Sequence, residues 1–225
     1  TPAPSLAGSA LTGTASWVPD APGADVLVAV TSAGEAVLVE GADVEATTAY
    51  DATRPMGHVR FDSGTATVLE VPDDAAAGAW HLTQALIAAE SLGAVEESLK
   101  RSVEYAKERF TFGRAIGSYQ AVKHALVEVL RLMENARSLI YYAGWAGQDA
   151  PAEFPLAASA ARVAAGRALD FAARELISVH GGIGATWEHD APLFFRRAQL
   201  SRRLAGGLEG AKDRVAGELL TAAAA

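Results

Sequence analysis

The chain contains no cysteine. Disulfides and thiolate metal sites are therefore excluded, and the composition fits a reducing compartment. No uncharged apolar run approaches the roughly 20 residues needed to span a membrane. The first residues (Thr1, Pro2, Ala3, Pro4, Ser5) lack the basic stretch that opens a signal peptide. Positive charge is also scarce: 19 Lys and Arg stand against 27 Asp and Glu, a net charge of −8. A phosphate-backbone partner would need a local basic patch to overcome that balance. These absences lead to the expectation of a cytoplasmic protein with no membrane span and no nucleic-acid partner. What remains is 225 residues, 50% of them hydrophobic, enough for a sizeable core in one or two domains.

The pattern divides the chain into residues 1–71 and 72–225. Residues 1–24 are rich in Ala, Gly, Ser, Thr and Pro, with one apolar patch from Ala15 to Val18. Val26 to Val30 and Ala36 to Val39 flank a tight Gly34 connection and read as a hairpin. Val44 to Tyr50 alternates weakly. His58 to Asp62 and Thr65 to Val71 alternate around a turn at Ser63 and Gly64. Such a thin sheet reads as the remnant or second half of a β-domain. From Pro72 the period becomes helical. The first helix, to about Arg109, carries Leu82, Leu86, Ala89, Gly93 and Val95 on its apolar face, with Gly78 and Gly93 expected at close backbone approaches. Further helices are predicted from about Ser118 to Gly147, Leu156 to Val179, Ala191 to Leu204 and Leu208 to Leu220. The fold class is α+β: a small antiparallel β-domain remnant, then an antiparallel four-to-five-helix bundle.

One connection is over-equipped for a turn. Arg109 to Gln120 holds two cations, three aromatics, two glycines and a terminal amide. Arg109-x-x-Phe112-Gly113 with Ile116-Gly117 and Tyr119-Gln120 resembles the R-x-x-F-G…I-G-x-F-Q signature of the acyl-CoA dehydrogenases. His180-Gly181-Gly182-Ile183-Gly184, with Glu188 and Arg196-Arg197-Ala198, resembles that family's G-G-x-G…E…R-D-A segment. Asp51 to Arg54 is similar to a stretch of its middle β-domain. The resemblance covers the end of the β-domain and the C-terminal helical domain; the N-terminal helical domain has no counterpart. It implies an FAD site at a subunit interface, in a homo- or hetero-oligomer acting on an acyl-CoA substrate. Arg109 would offer a planar charged fork to the FAD pyrophosphate. Phe112 would pack on the cofactor and Gln120 would hydrogen-bond it. Gly181 and Gly182 would let backbone N–H groups approach phosphate oxygens.

The departures are as informative. The family removes the substrate α-proton with a glutamate. Its commoner position maps to Ala205, and its alternative, on the first helix of the bundle, maps to Thr83. Neither can act as the base, so no catalytic residue is assigned. Glu209 lies one helical turn, about 6 Å, past the mapped position. Ser178 replaces the usual Gln, and Arg197 the R-D-A aspartate. The resemblance thus points to a degenerate subunit of a heteromeric dehydrogenase. A flavin-free structural or assembly subunit on the same bundle is the alternative. His180 reads as a helix-capping residue. Glu188, His189 and Asp190 are adjacent in sequence, so they cannot converge on one ion, and no metal site is assigned. Arg196, Arg197, Arg202 and Arg203 suggest a basic strip.

Overall fold

A computed structural model describes residues 3–62 and 65–224. The expected turn at Ser63 and Gly64 lies outside the described residues. The chain forms two compact units, one ending at Ala79 and the other beginning at Trp80.

In the first unit a five-stranded antiparallel sheet has the order β1 (Ser5–Ala7), β2 (Ala10–Thr12), β8 (Thr65–Val68), β5 (Ala36–Glu40), β4 (Leu27–Val30). A three-stranded sheet has the order β3 (Thr14–Pro19), β7 (Met56–Arg60), β6 (Asp43–Ala46). The two sheets share one core, with Leu11, Val37, Val39, Val59, Phe61 and Ala66 buried. Strands β1 to β3 occupy the stretch whose small and polar residues carry little strand signal. The expected 26–30 and 36–39 hairpin is present, with Leu27 opposite Val39 and Val30 opposite Ala36. Asp51 closes the turn before β7 by accepting hydrogen bonds from the backbone N–H and hydroxyl of Thr53, at 2.9 and 2.6 Å.

The second unit is a helical bundle of α1 (Ala75–Glu108, from Trp80 onward), α2 (Gln120–Asp149), α3 (Phe154–His180), α4 (Ala191–Ser201) and α5 (Gly207–Ala224). Alanine makes α3 its centre: Ala157, Ala158, Ala161, Ala165, Ala168, Ala172 and Ala173 are all buried, so neighbouring helices pack close to its backbone.

The apolar face expected for α1 is overturned in part: Val95 is fully buried, but Ala89 and Gly93 are exposed. Leu82 and Leu86 are 52% and 61% exposed, whereas His81, Gln84, Ser91, Ser98 and Ser102 are buried. The buried stripe keeps helical spacing, with Ile87, Ala88, Val95 and Ala106 interleaved among these polar residues. Their hydroxyls are satisfied locally: Ser91 donates to the Ile87 carbonyl, Ser98 to that of Ala94 and Ser102 to that of Ser98, each at 2.7 Å. A serine paired within its own helix can be buried at little cost. The glycine expectation is overturned too, because a Cβ at Gly78 or Gly93 would meet nothing within 4 Å. Close approaches in the helical unit lie instead at Gly117, Gly166 and Gly184. A Cβ at Gly117 would stand 2.8 Å from the Ala106 carbonyl oxygen, and one at Gly166 would stand 2.5 Å from Leu208 Cδ2.

Candidate functional site

The Arg109 to Gln120 connection is a miniature β-hairpin. Strands β9 (Phe110–Thr111) and β10 (Arg114–Ala115) pair antiparallel around Phe112 and Gly113. Both turn residues are left-handed, with φ of 50° and 78°, the backbone that a two-residue hairpin of this hand requires. Glycine adopts it freely, whereas a phenylalanine there is strained. Phe112 is also 94% exposed, so packing within this chain does not compensate for the strain. At the base of the hairpin the Ile116 N–H donates to the Arg109 carbonyl at 2.8 Å. The Arg114 guanidinium lies 3.8 Å from the Tyr119 ring centroid. The chain then passes through a 3₁₀ turn, Ile116–Ser118, into α2, which begins at the exposed Gln120. The approach of Gly117 to the Ala106 backbone sets the angle at which the hairpin leaves α1. Arg109 is exposed and makes no ion pair among the described residues.

The glycine segment lies against the same end of α1. His180, the last residue of α3, stacks on Tyr105 with ring centroids 4.2 Å apart. Its Nδ1 bonds the Leu176 carbonyl at 2.8 Å, so the ring is a buried structural element. Gly181 is left-handed, and its N–H donates to the carbonyls of Ile177 and Ser178. That N–H is therefore spent on the helix cap, and Gly181 can serve a ligand sterically rather than as a donor. Gly182 is exposed with open space around its α-carbon. The residues once grouped as Glu188, His189 and Asp190 have separate engagements. Glu188 is exposed, His189 Nδ1 accepts from the Ala191 N–H at 3.0 Å, and Asp190 pairs with Arg101 at 2.6 Å. The basic strip also disperses. Arg196 covers Trp187, Arg197 pairs with Glu90, Arg202 lies 4.0 Å from Asp170, and Arg203 donates to the Gln199 carbonyl.

Two buried histidines are expected to make the bundle sensitive to acid. The pKa of His180 is held below the ordinary 6.5 by burial, with the positive charges of His189 and Arg101 adding to the effect. That of His81 is lowered by burial and then by Arg214. Just below 6.5 the unfolded chain therefore binds more protons than the folded one. The corresponding stability is complete above 6.5 and is lost as the pH falls toward the folded values. The unfolding midpoint should drop between about pH 7.5 and about pH 5.5. In His180→Phe, which cannot take up that proton, the drop should be smaller. A midpoint that rises on acidification would contradict this account.

The link between α4 and α5 carries the third group of residues. Ala205, Gly206 and Gly207 are left-handed in succession, with φ of 50°, 84° and 74°. The Gln84 amide donates to the Ala205 carbonyl at 2.9 Å, across 121 residues of sequence. Thr83, half-buried beside Gln84 on α1, is thereby brought to the same region as Ala205. Glu209 is exposed in the first turn of α5 and pairs with Lys212 at 2.8 Å.

Comparison with known proteins fixes the family. Residues 74–220 match the family model described as acyl-CoA dehydrogenase, C-terminal domain. The chain belongs to the acyl-CoA dehydrogenase family. It is 38% identical over 181 residues to acyl-CoA dehydrogenase IpdE2 of Mycobacterium tuberculosis, covering 80% of this chain and 53% of that protein. It is 39% identical over 158 residues to FadE34 of the same organism, covering 69% of this chain and 22% of that one. The structure of glutaryl-coenzyme A dehydrogenase in its glutaryl-CoA complex superposes with a TM-score of 0.86 at 26% identity, over 94% of this chain and 58% of that one. The ChsE4–ChsE5 complex of M. tuberculosis gives 0.85 at 27%, over 98% and 63%. The chain thus spans about half of IpdE2 and less of FadE34. Within this acyl-CoA dehydrogenase chain, the hairpin, the glycine segment and the α4–α5 link lie on the helical unit. No described helix is long and apolar enough to cross a membrane.

The structure of this family member also marks a residue that sequence reasoning passed over. Trp17 on β3 has φ of 60°, is 58% exposed, and sits at the register break between Ala15 and Val18. Its ring meets His58 edge-on at 4.9 Å. Strained, exposed aromatics of this kind concentrate at ligand sites. The apolar patch at Ala15 to Val18 was the only sequence signal.

Proposed function

We propose that this chain is a subunit of an FAD-dependent enzyme that dehydrogenates an acyl-CoA thioester between its α and β carbons, and that it contributes to the FAD site while lacking the catalytic base. The observation that carries this reading is the hairpin tip. An exposed, strained Phe112 beside the unpaired cation Arg109 is costly to maintain and fits a planar, anionic ligand shared with a neighbouring subunit. Arg109 would hold the FAD pyrophosphate, Phe112 would cover the ring system, and Gln120 would hydrogen-bond it. Gly181 and Gly182 would keep the phosphate approach clear. The flavin, when bound, supplies the acceptor for the β-hydride.

The α-proton needs a carboxylate, and both family positions for it are non-acidic here. The α4–α5 link would therefore face the thioester with Ala205, and a partner subunit would provide the base, in a homo- or hetero-oligomer. A flavin-free assembly subunit is the second reading. It is favoured by the commitment of the Gly181 N–H to the helix cap.

The visible absorption spectrum of the purified assembly, alone and with its partner, separates the two. A flavin band is expected, and Arg109→Ala should weaken flavin retention by about 10–100-fold, the loss of one charged hydrogen-bonding contact. Assemblies without flavin would overturn the dehydrogenase reading.

A further inference from the structure

Arg162 is the largest fully buried side chain among the described residues. It sits mid-way along the alanine-rich α3, and its Nη2 donates to the carbonyl of Ser201, the last residue of α4. Its Nε and Nη1 have no hydrogen-bond partner among the described residues. Burial lowers its pKa to about 10, so it remains a cation at neutral pH. Glu90 is the carboxylate that acts on this charge from nearby; even so, a buried charge with one hydrogen-bond acceptor is a poor way to stabilise a core, because an apolar side chain of similar size commonly does as well or better.

Its only acceptor begins the α4–α5 link. The Ser201 carbonyl also accepts from the Leu204 N–H at 3.3 Å, and the Leu208 N–H returns to the Arg202 carbonyl at 3.1 Å. A Cβ on Gly166, one turn along α3, would lie 3.2 Å from Arg162 Nη1 as well as against Leu208. The guanidinium and the start of α5 are thus wedged together. From the other side Gln84 holds the Ala205 carbonyl. Between these two ties lies the left-handed run of Ala205, Gly206 and Gly207, which has little intrinsic preference for that conformation at Ala205.

We propose that Arg162 is a positioning residue: from inside the bundle it fixes the Ser201 carbonyl, and through it the left-handed link that presents Ala205. The functional meaning of the link rests on the reading given under Proposed function, whereas the mechanical claim does not.

The test compares Arg162→Met and Arg162→Lys in the full chain, purified with its partner. Hydrogen exchange is followed at the Leu204, Gly207 and Leu208 amides. Emission is followed from Trp80, whose indole nitrogen lies 3.6 Å from a Cβ at Gly206, with the other three tryptophans replaced by Phe. Arg162→Met should keep the wild-type unfolding midpoint while exchange in the link accelerates about tenfold or more, the effect of losing one charged hydrogen bond. Arg162→Lys should fall between Met and wild type. Unchanged exchange and unchanged Trp80 emission in a folded Met variant would overturn the proposal. Should Arg162→Met fail to fold, the Lys variant decides: exchange faster than wild type supports the proposal, and wild-type exchange overturns it. Absence of flavin from the wild-type assembly would remove the dehydrogenase reading and leave these link measurements standing.

Discussion

Replacing Ala205 by glutamate is expected to raise turnover at this chain's own site by about 10²–10⁴-fold, the contribution of a positioned general base. The backbone is ready for the change. Ala205 already holds φ of 50° with a Cβ in place, so glutamate adds no new conformational cost. The bond from Gln84 to the Ala205 carbonyl uses only main chain on that side and survives the substitution. Half-burial of Ala205 would partly shield the new carboxylate from water, and partial desolvation strengthens a carboxylate as a base. The measurement is acyl-CoA-dependent reduction of an electron-accepting dye by the purified assembly, with Ala205→Gln as the isosteric control. Gain with Glu and none with Gln is the expected pattern. Equal rates in wild type and Ala205→Glu would show that this link does not face the α-carbon, and full activity in the wild-type chain alone would show that its base lies elsewhere on it.

Gly117→Ala should be a damaging single-methyl change in the helical unit. Its Cβ would stand 2.8 Å from the oxygen and 3.3 Å from the carbon of the Ala106 carbonyl. Both are backbone atoms of α1 and cannot swing aside as a side chain would. The clash is relieved only by shifting the 3₁₀ turn, and overpacking of this kind costs about 1–3 kcal/mol. The hairpin moves with the turn, so flavin retention should fall in the same variant. Gly93→Ala is the opposite case. Gly93 is an exposed residue within α1 with open space at its Cβ position, so alanine should add about 0.5–1 kcal/mol. At about 2–4 °C per kcal/mol for a unit of this size, thermal unfolding resolves both signs. A Gly117→Ala midpoint at or above that of wild type would refute the close approach.

The helix sequence, the hairpin at residues 27–39 and the boundaries of α2 and α3 were legible because each rests on a strong local signal: periodicity, a glycine turn, or Pro155 near the start of α3. The α1 face was partly misread because several of its buried positions are serines and a glutamine, while Leu82 and Leu86 point outward. Hydrophobicity identifies a buried face only when burial is apolar. The 110–115 hairpin passed as a simple turn because strands of two residues leave no alternation to detect. Arg162 was invisible for a related reason: arginine is the residue least expected in a core, and nothing local distinguishes it from a solvated one. The hairpin residues, the glycine segment and Ala205 were singled out through their resemblance to family motifs. Their conformations, and the spending of the Gly181 N–H on the cap, required coordinates.

The bond between Gln84 and Ala205 has a consequence for how the chain folds. Contacts between α2 and α3 close much shorter loops, since only four residues separate those helices. The Gln84 contact closes a loop of 121 residues, and the entropy of closure grows with the length enclosed. The beginning of the bundle's first helix and the α4–α5 link are therefore expected to dock late in folding, after α2 and α3 have formed a template. By the same reasoning they should part early when the native state opens locally. The segment assigned to the thioester is thus the one the bundle can most readily release and re-form without dissolving its alanine core.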